Sequence, residues 1–320
     1  MNCFFIRLYK MNEKLPTSKE KHQRIDMFDV AKGISIIQVM AYHFMIPVFG
    51  SGYFVGISLA TFLFISGLFF KGNSNTILKK VDRLVVPYFV TLLVYNMLSL
   101  AMGGHLSLPR SIWFLYVLFV SMVIYHIIKK IRNQYVQTVI CLFLFILSFA
   151  LGDKNNLGEW KIGSIMNSII FLHLGHLSSC LFMHISSIPI TKLLSFPVLS
   201  FLSFAIITFV LFPEIPMVYS MCYNEIKFSL FHVTLYFSLG ILFMLSWGRI
   251  LSNVTILAFY GRYSLIVLCY HIFILRLRDD SIGFVLVLLT CPLVIWIIRK
   301  YFPRLFGLKP LFGKLIHIIE

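Results

Sequence analysis

The sequence contains little charge, and very little of that charge is acidic. Only 12% of the 320 residues are charged, and Asp and Glu together number 12 against 28 Lys and Arg. A soluble domain is typically about 25% charged. Hydrophobic residues make up 59% of the chain, and the mean hydropathy is +0.89. This composition excludes an ordinary soluble domain and indicates an integral membrane protein.

The sequence also lacks the alternation of apolar and polar residues that marks transmembrane β-strands. Apolar residues instead form long runs, such as FVGISLATFLFISGLFF and SFLSFAIITFVLFP. Runs of about 17–25 apolar residues cross a bilayer as helices, which close every backbone hydrogen bond within the segment. The sequence predicts an all-α, polytopic bundle of about ten transmembrane helices. The predicted spans lie near 29–49, 52–70, 84–102, 111–128, 135–151, 163–183, 193–212, 228–247, 254–275 and 282–298.

The net charge of +16 lies on one side of this predicted topology. With a cytoplasmic amino terminus, the inner segments hold 21 of the 28 Lys and Arg, whereas the outer loops hold six together with six acidic residues. Arg262, near the start of the ninth span, is the remaining one. This distribution follows the positive-inside rule and favours an even number of spans with both termini cytoplasmic. The basic charge therefore indicates a lipid bilayer as partner and no nucleic acid.

One membrane domain accounts for nearly the whole chain. We expect a basic cytoplasmic segment at 1–28, a transmembrane domain at 29–298 and a basic cytoplasmic tail at 299–320. The six cysteines show no C-x-x-C pair, and we interpret them as small buried hydrophobic residues. His173 and His176 are three apart, but no carboxylate or cysteine pattern accompanies them, so no metal site is predicted. The protein is expected to be a multi-pass protein of the inner (plasma) membrane.

The first predicted span carries charged residues that share one face. Lys32 and His43 are eleven residues apart, which on a helix means ~20° in azimuth and ~16 Å in depth. Asp29 lies within ~40° of His43 and can pair with Lys32 as an i, i+3 neighbour. Ionisable residues inside a membrane usually face a polar cavity. A histidine that only donates to a backbone carbonyl of a neighbouring helix remains the alternative for His43.

A basic loop follows the second predicted span. Lys79, Lys80 and Arg83 come shortly before Pro87 on the predicted cytoplasmic side. If this stretch is helical, Lys80 and Arg83 point the same way and could hold phosphates. A positive-inside anchor is the simpler explanation of a basic loop.

Five segments in this order resemble membrane-bound acyltransferase family 3, which includes O-acetyltransferases of lipopolysaccharide, capsule and other glycans. The segments span residues 24 to about 275, and each one alone is a weak signal. They are Asp29 and Lys32 followed by His43; FLFISGLFF with Ser66 and Gly67; Lys80 and Arg83 with Pro87-Tyr88; Trp113-Phe114-Leu115; and Gly261-Arg262-Tyr263-Ser264-Leu265 with His271.

The resemblance implies a role for each matching residue. His43 corresponds to the family's catalytic histidine, Lys32 to its helix-one cation, and Lys80 with Arg83 to its donor-phosphate binders. Lys replaces the commoner Arg at 32 and 80, which keeps the charge but loses a bidentate fork. Asp29 lies about four turns from His43, so we expect it to orient Lys32 or the donor. For His271, an inter-helix hydrogen bond and a part in the site are both open.

The resemblance implies a membrane O-acyltransferase that moves an acetyl or other acyl group from acetyl-coenzyme A to a hydroxyl of a cell-envelope glycan. The acceptor would be lipopolysaccharide O-antigen, capsule, exopolysaccharide or a lipid-linked saccharide. A transporter or flippase of a lipid-linked saccharide is the alternative, although the sequence shows no pair of broken helices in two halves. A glycan polymerase would normally show a larger outer loop than the roughly 15 residues expected here.

Overall fold

The structure of the protein is a computed structural model, which describes residues 18–46, 52–71, 77, 79–103, 105, 112–151, 161–185, 198, 201–202, 230–309 and 311. Regular structure within these residues is helical throughout, with no strand. The predicted all-α class is therefore confirmed. The helices are α1 (Ser18–His43), α2 (Gly52–Leu68), a π-helical turn (Val81–Val85) leading into α3 (Val86–Ala101), α4 (Trp113–Ile128), α5 (Gln134–Leu151), α6 (Ile162–Ile185), α7 (Leu230–Ile250), α8 (Thr255–Arg262), α9 (Ser264–Leu277) and α10 (Ser281–Tyr301).

The helices follow the predicted spans, but within the described residues few of them are both long and apolar enough to cross a membrane alone. The seventh predicted span, near 193–212, lies almost wholly outside the described residues. Within the described part of the chain, three helices are long and apolar enough to cross a membrane, namely Val81–Ala101, Val233–Ile250 and α10. Counting α8 and α9 as one bent span makes four. The number of ten spans and the cytoplasmic termini therefore stay predictions.

Helix α1 lies at the centre of the bundle. It packs against α2, α7, α8 and α9, and residues on all its sides are buried. Its closest neighbour is α8, where Gly33 and Gly261 let the two backbones touch: a Cβ at Gly261 would overlap the carbonyl oxygen of Asp29. Small residues at a crossing allow this approach in membrane helices. Gly261, part of the fifth family-like segment, thus sets how closely α8 approaches α1.

A second glycine contact joins α2 to α6. A Cβ at Gly67 would meet the backbone of Leu172, and a Cβ at Gly175 would meet the carbonyl oxygen of Phe64. Gly67 is the glycine of the FLFISGLFF segment. Two of the family-like segments therefore contain glycines at which helices cross with their backbones in contact.

The peripheral helices turn large apolar side chains outward, as expected for helices that face lipid. On α3 these side chains recur at three- and four-residue spacing, which forms a stripe along one face. Similar stripes lie on α5 and α10. They include Phe89, Leu93, Met97 and Leu100 on α3, Val139, Phe143 and Ile146 on α5, and Leu286, Leu289, Leu293 and Trp296 on α10.

Helix α1 differs at both ends from the predicted span of 29–49. It begins at Ser18, and it ends at His43. The amide of Ile46 donates to Ala41 and that of Met45 to Tyr42, while Met45 has a φ of 52°. This is the hydrogen-bond pattern of a Schellman motif, with methionine where glycine is usual. Pro47, one residue further on, disfavours helical backbone before it and was the available signal for this stop.

The ninth predicted span also differs, because it is broken. Helices α8 and α9 meet at an angle of 82° with only Tyr263 between them. The sequence indicated no pair of broken helices in two halves, and the described residues contain this one bent pair. Hydropathy did not reveal the break because both helices are mostly apolar and the polar residues beside it, Arg262 and Ser264, are few. Gly261 and Arg262, just before the bend, face α1 instead of continuing a straight helix.

Candidate active site

The polar face of α1 is covered by the bent pair of helices. Near the start of this face, Asp29 contacts Arg262 at the end of α8. At its far end, the ring of His43 stacks on the ring of His271 in α9. Asp29 and His43 therefore lie on a common face, as predicted, and that face meets protein instead of lipid.

Asp29 bridges two cations. Its Oδ1 lies 2.7 Å from the Nζ of Lys32, which is the predicted i, i+3 ion pair. Its Oδ2 accepts a hydrogen bond of 3.1 Å from the Nε of Arg262. The Asp29 side chain is only 11% exposed, so the carboxylate is shielded from water and these contacts compensate its desolvation. The bridge holds Lys32 and Arg262 side by side near the middle of α1.

The basic turn directly precedes α3. Lys80 is half-buried just before the π-helical turn, and Arg83 is exposed within it. Burial, then the charge of Arg83 and then that of Lys32, lower the pKa of Lys80 to about 8. The charges of Lys32 and Arg83 therefore both act on the Lys80 side chain. A π-helical turn is rare and often marks a functional site.

The segment after α10 packs onto this basic turn. Gly307 has a φ of +65°, and a Cβ there would come 2.6 Å from the Cα of Arg83. The amide of Leu311 donates a 3.1 Å hydrogen bond to Asp82 Oδ2. Asp82 is buried, and in the sequence it lies between Lys80 and Arg83. Its hydrogen bond with Leu311 therefore links the turn to the segment that follows α10. The position of Arg83 therefore depends on residues that follow the last helix.

His43 lies further along α1 than Lys32. It is the last residue of α1 and is partly exposed, about 16 Å along the helix from Lys32. Its ring centroid is 5.3 Å from that of His271, with an angle of 30° between the planes. His271 is fully buried, and its Nδ1 lies 3.3 Å from the carbonyl oxygen of Val267. Within the described residues, its Nε2 has no hydrogen-bond partner.

The histidines of α6 lie in a different environment. His173 is fully buried, with Nδ1 3.2 Å from the Tyr125 hydroxyl and Nε2 2.9 Å from the Thr138 hydroxyl. Both ring nitrogens are thus used in contacts between helices. Across the described residues, no group of three or more His, Cys, Asp or Glu side chains is placed to hold a metal. We assign His173 to packing.

Arg262 is the site residue that the sequence reasoning missed. Arg262 was the one basic residue that belonged to neither the inner segments nor the outer loops of the predicted topology. This unusual position near the start of a span was the sequence signal for a role in the site. Its role could not be read from spacing, because Arg262 and Asp29 are 233 residues apart and meet only in the fold.

The described helices form a membrane bundle in which a central helix carries the ion pair of Asp29 with Lys32 and, at its end, His43. The family model of acyltransferase family 3, described as an acyltransferase domain, matches residues 25–306. The chain therefore belongs to this family of membrane acyltransferases, and the resemblance drawn from the sequence motifs is confirmed. Neither a curated protein nor a solved structure matches the chain.

Proposed function

We propose that this membrane acyltransferase is an O-acyltransferase of the inner (plasma) membrane, which transfers an acetyl group from acetyl-coenzyme A to a hydroxyl of a cell-envelope glycan. The observation that supports it best is the arrangement along α1. Lys32 pairs with Asp29 near the middle of α1, the charges of Lys32 and Arg83 act on Lys80, and His43 lies about 16 Å further along α1 from Lys32.

The cations suit the nucleotide end of the donor. Coenzyme A carries a diphosphate and a 3′-phosphate, and such groups bind Lys and Arg through charge-assisted hydrogen bonds. The pantetheine arm would extend along the polar face of α1 and bring the thioester near His43. The predicted topology puts the cations on the cytoplasmic side, where acetyl-coenzyme A is made.

His43 would act as the general base. Its imidazole takes the proton from the acceptor hydroxyl while the oxygen attacks the thioester carbonyl. The tetrahedral intermediate then collapses, the carbon–sulfur bond breaks, and the coenzyme A thiolate leaves and recovers the proton. Asp29 is too far along α1 to contact His43, so its part in this scheme is to hold Lys32. The acceptor class, lipopolysaccharide, capsule or exopolysaccharide, is the one that the family resemblance implies.

The test combines the purified protein with the host strain. Purified protein in detergent, given acetyl-coenzyme A and glycan from a strain deleted for the gene, should release free thiol and acetylate the glycan. Glycan from the wild-type strain should be heavier by acetyl groups than glycan from the deletion strain. Thiol release that does not depend on the glycan, together with unchanged glycan mass, would reject the proposal.

A flippase for a lipid-linked saccharide is the second candidate because of the bend between α8 and α9. Transporters of the inverted-repeat type carry broken helices in corresponding positions of two halves. The described residues contain one such bent pair. Glycan-dependent thiol release supports the acyltransferase, whereas saccharide translocation without coenzyme A release supports the flippase.

A further inference from the structure

Arg276, in the last turn of α9, reaches across to α3. Its guanidinium carbon lies 5.1 Å from the centre of the Tyr95 ring, and its Nη2 donates a 3.0 Å hydrogen bond to the Ser99 hydroxyl. That hydroxyl donates in turn to the carbonyl oxygen of His105, 2.8 Å away. Ser99 is buried. The Tyr95 ring and the Ser99 hydroxyl therefore hold the guanidinium in a fixed place at the end of α3.

Among the described residues, Arg276 forms no ion pair with a carboxylate. The acidic residues nearest to it in the sequence are Asp279, which is exposed, and Asp280, which pairs with Arg278 at 2.9 Å. The bond to Ser99 uses one of the five N–H donors of the guanidinium. A partly buried cation whose partners are a hydroxyl and an aromatic ring retains donors for an anion.

The position of Arg276 indicates which anion this is. Ser99 lies in the last turn of α3, and the exposed side chains of Met97 and Leu100 belong to the apolar stripe of the same helix. The ends of α3 and α9 both lie on the outer side of the predicted topology. An arginine near a helix end reaches the level of the lipid head groups. Phosphate is the anion at that level, and a guanidinium binds two of its oxygens at once.

The simpler explanation is an arginine that only extends into water at the membrane surface. Such a side chain needs no fixed partners. The guanidinium of Arg276 instead lies over a ring and bonds to a buried hydroxyl, which restricts its rotamers at a cost in entropy. A bound phosphate gives this fixed geometry a use.

The end of α1 lies close to the same part of the molecule. Phe44, directly after His43, has its ring centroid 6.2 Å from that of Phe284 near the start of α10. His271, whose ring stacks on His43, precedes Arg276 by five residues on α9. This separation means ~7.5 Å along the helix and ~140° around it. A phosphate on Arg276 would therefore lie beyond the histidine pair, on the α3 side of α9.

We propose that Arg276 binds the phosphate of a membrane lipid at the predicted outer surface, with Tyr95 and Ser99 holding the guanidinium in position. Two kinds of lipid carry this group: a phospholipid, and a lipid-linked saccharide, whose sugar is joined to the lipid through phosphate. The binding is independent of the proposed function. A lipid-linked acceptor as the source of the phosphate rests on that function, and its saccharide would extend toward the end of α1.

Native mass spectrometry of the purified protein measures lipid binding directly. The probes are dioleoyl phosphatidic acid, which carries a phosphate, and dioleoylglycerol, which does not. Arg276→Ala and Arg276→Gln should each weaken the binding of one phosphatidic acid about 10–100-fold, the usual effect of losing hydrogen bonds to a charged group. Binding of dioleoylglycerol should not change. Arg276→Gln retains a donor for Ser99, and thermal stability in detergent shows that each variant is folded.

Arg278→Ala is the matched control. Arg278 is 52% exposed and lies two residues after Arg276 on the same predicted side of the membrane, but it pairs with Asp280. This variant should bind phosphatidic acid as the wild type does. Arg276→Lys keeps the charge without the planar fork, so its affinity should fall between those of Arg276→Ala and the wild type.

A kinetic measurement separates the two kinds of lipid. Lipid-linked glycan from a strain deleted for the gene is used as acceptor, either intact or freed of lipid and phosphate by mild acid. If the acceptor supplies the phosphate, Arg276→Ala should raise KM for the intact form about 10–100-fold and leave KM for the freed form unchanged. If a phospholipid supplies it, both KM values stay unchanged while phosphatidic acid binding is lost.

Two outcomes would overturn the inference. If Arg276→Ala and Arg276→Gln bind phosphatidic acid as the wild type does, the guanidinium only packs α9 against α3. If Arg278→Ala loses as much binding as Arg276→Ala, the effect belongs to the general surface charge. A wild-type protein that releases no thiol from acetyl-coenzyme A would reject the proposed function, while the binding measurement would still decide the role of Arg276.

Discussion

The rings of His43 and His271 stack with centroids 5.3 Å apart, which joins the end of α1 to the middle of α9. Replacing His43 by Gln keeps most of the size and a hydrogen-bonding end but removes the proton acceptor. We expect this variant to insert normally and to lose about 10²–10⁴-fold in acetylation rate. Glycan acetylation per amount of membrane protein measures the effect, and His43→Ala should be equally inactive.

His173→Gln serves as the control for His43, because His173 is a buried imidazole bonded on both nitrogens. It should lower the amount of folded protein while the activity per molecule is retained. Near wild-type acetylation by His43→Gln would show that His43 is structural, and the general-base proposal would be wrong.

His271 is expected to hold the ring of His43 by stacking. Its Nε2 is buried without a partner among the described residues, so losing that nitrogen should cost little. His271→Phe keeps an aromatic ring against His43 and should retain most activity, whereas His271→Ala should lose it. Acetylation and protein abundance are measured for both variants. Equal loss in His271→Phe and His271→Ala would instead point to a role for the imidazole nitrogens.

Donor binding should depend on pH through Lys80, whose pKa is lowered to about 8. Below pH 8 the side chain is protonated and attracts the phosphates, and above pH 8 it is mostly neutral. KM for acetyl-coenzyme A should therefore rise between pH 7 and about 9, while the donor's phosphates stay ionised over this range. Arg stays charged throughout, so Lys80→Arg should abolish this rise. A rise of the same size in Lys80→Arg would assign the titration to another group.

The crossing of α1 and α8 should tolerate no added methyl group at Gly261. The Cβ of Gly261→Ala would overlap the backbone oxygen of Asp29, which cannot move without shifting α1. We expect a loss of about 3 kcal/mol or more, near the upper end for overpacking. Gly240→Ala is the comparison, because its Cβ would meet only the Ile57 side chain at 2.7 Å. Thermal stability in detergent measures both, and equal stability would contradict the described crossing.

The predicted topology is tested by reporter fusions in loops between described helices. Fusions after Arg132, between α4 and α5, and after Arg304, beyond α10, should report the cytoplasm. A fusion after Asp279, between α9 and α10, should report the outside. These sides follow from the basic residues in the inner segments. An external result at Arg304 would mean an odd number of spans.

Sequence patterns predicted the features that depend on neighbours along one helix. The ion pair of Asp29 with Lys32 and the common face of Asp29 and His43 follow from helical spacing alone. Contacts between distant segments were not predictable, because hydropathy does not say which helices touch. The Arg262 contact and the bend after it belong to that group. The end of α1 at His43 was only partly predictable. Pro47 indicated that the helix ends before it, but the apolar residues continue beyond Pro47 and favoured a longer span.

The contact of Gly307 with Arg83 and of Leu311 with Asp82 has a practical consequence for work with this enzyme. The segment that follows the last helix packs against Arg83, a residue of the proposed donor site. We therefore expect a fusion placed shortly after this segment to displace Arg83. Affinity handles and fluorescent partners belong at the amino-terminal end, ahead of Ser18, where α1 begins about three turns before Asp29. Kinetic constants from carboxy-terminally tagged protein would mix the properties of the enzyme with those of its label.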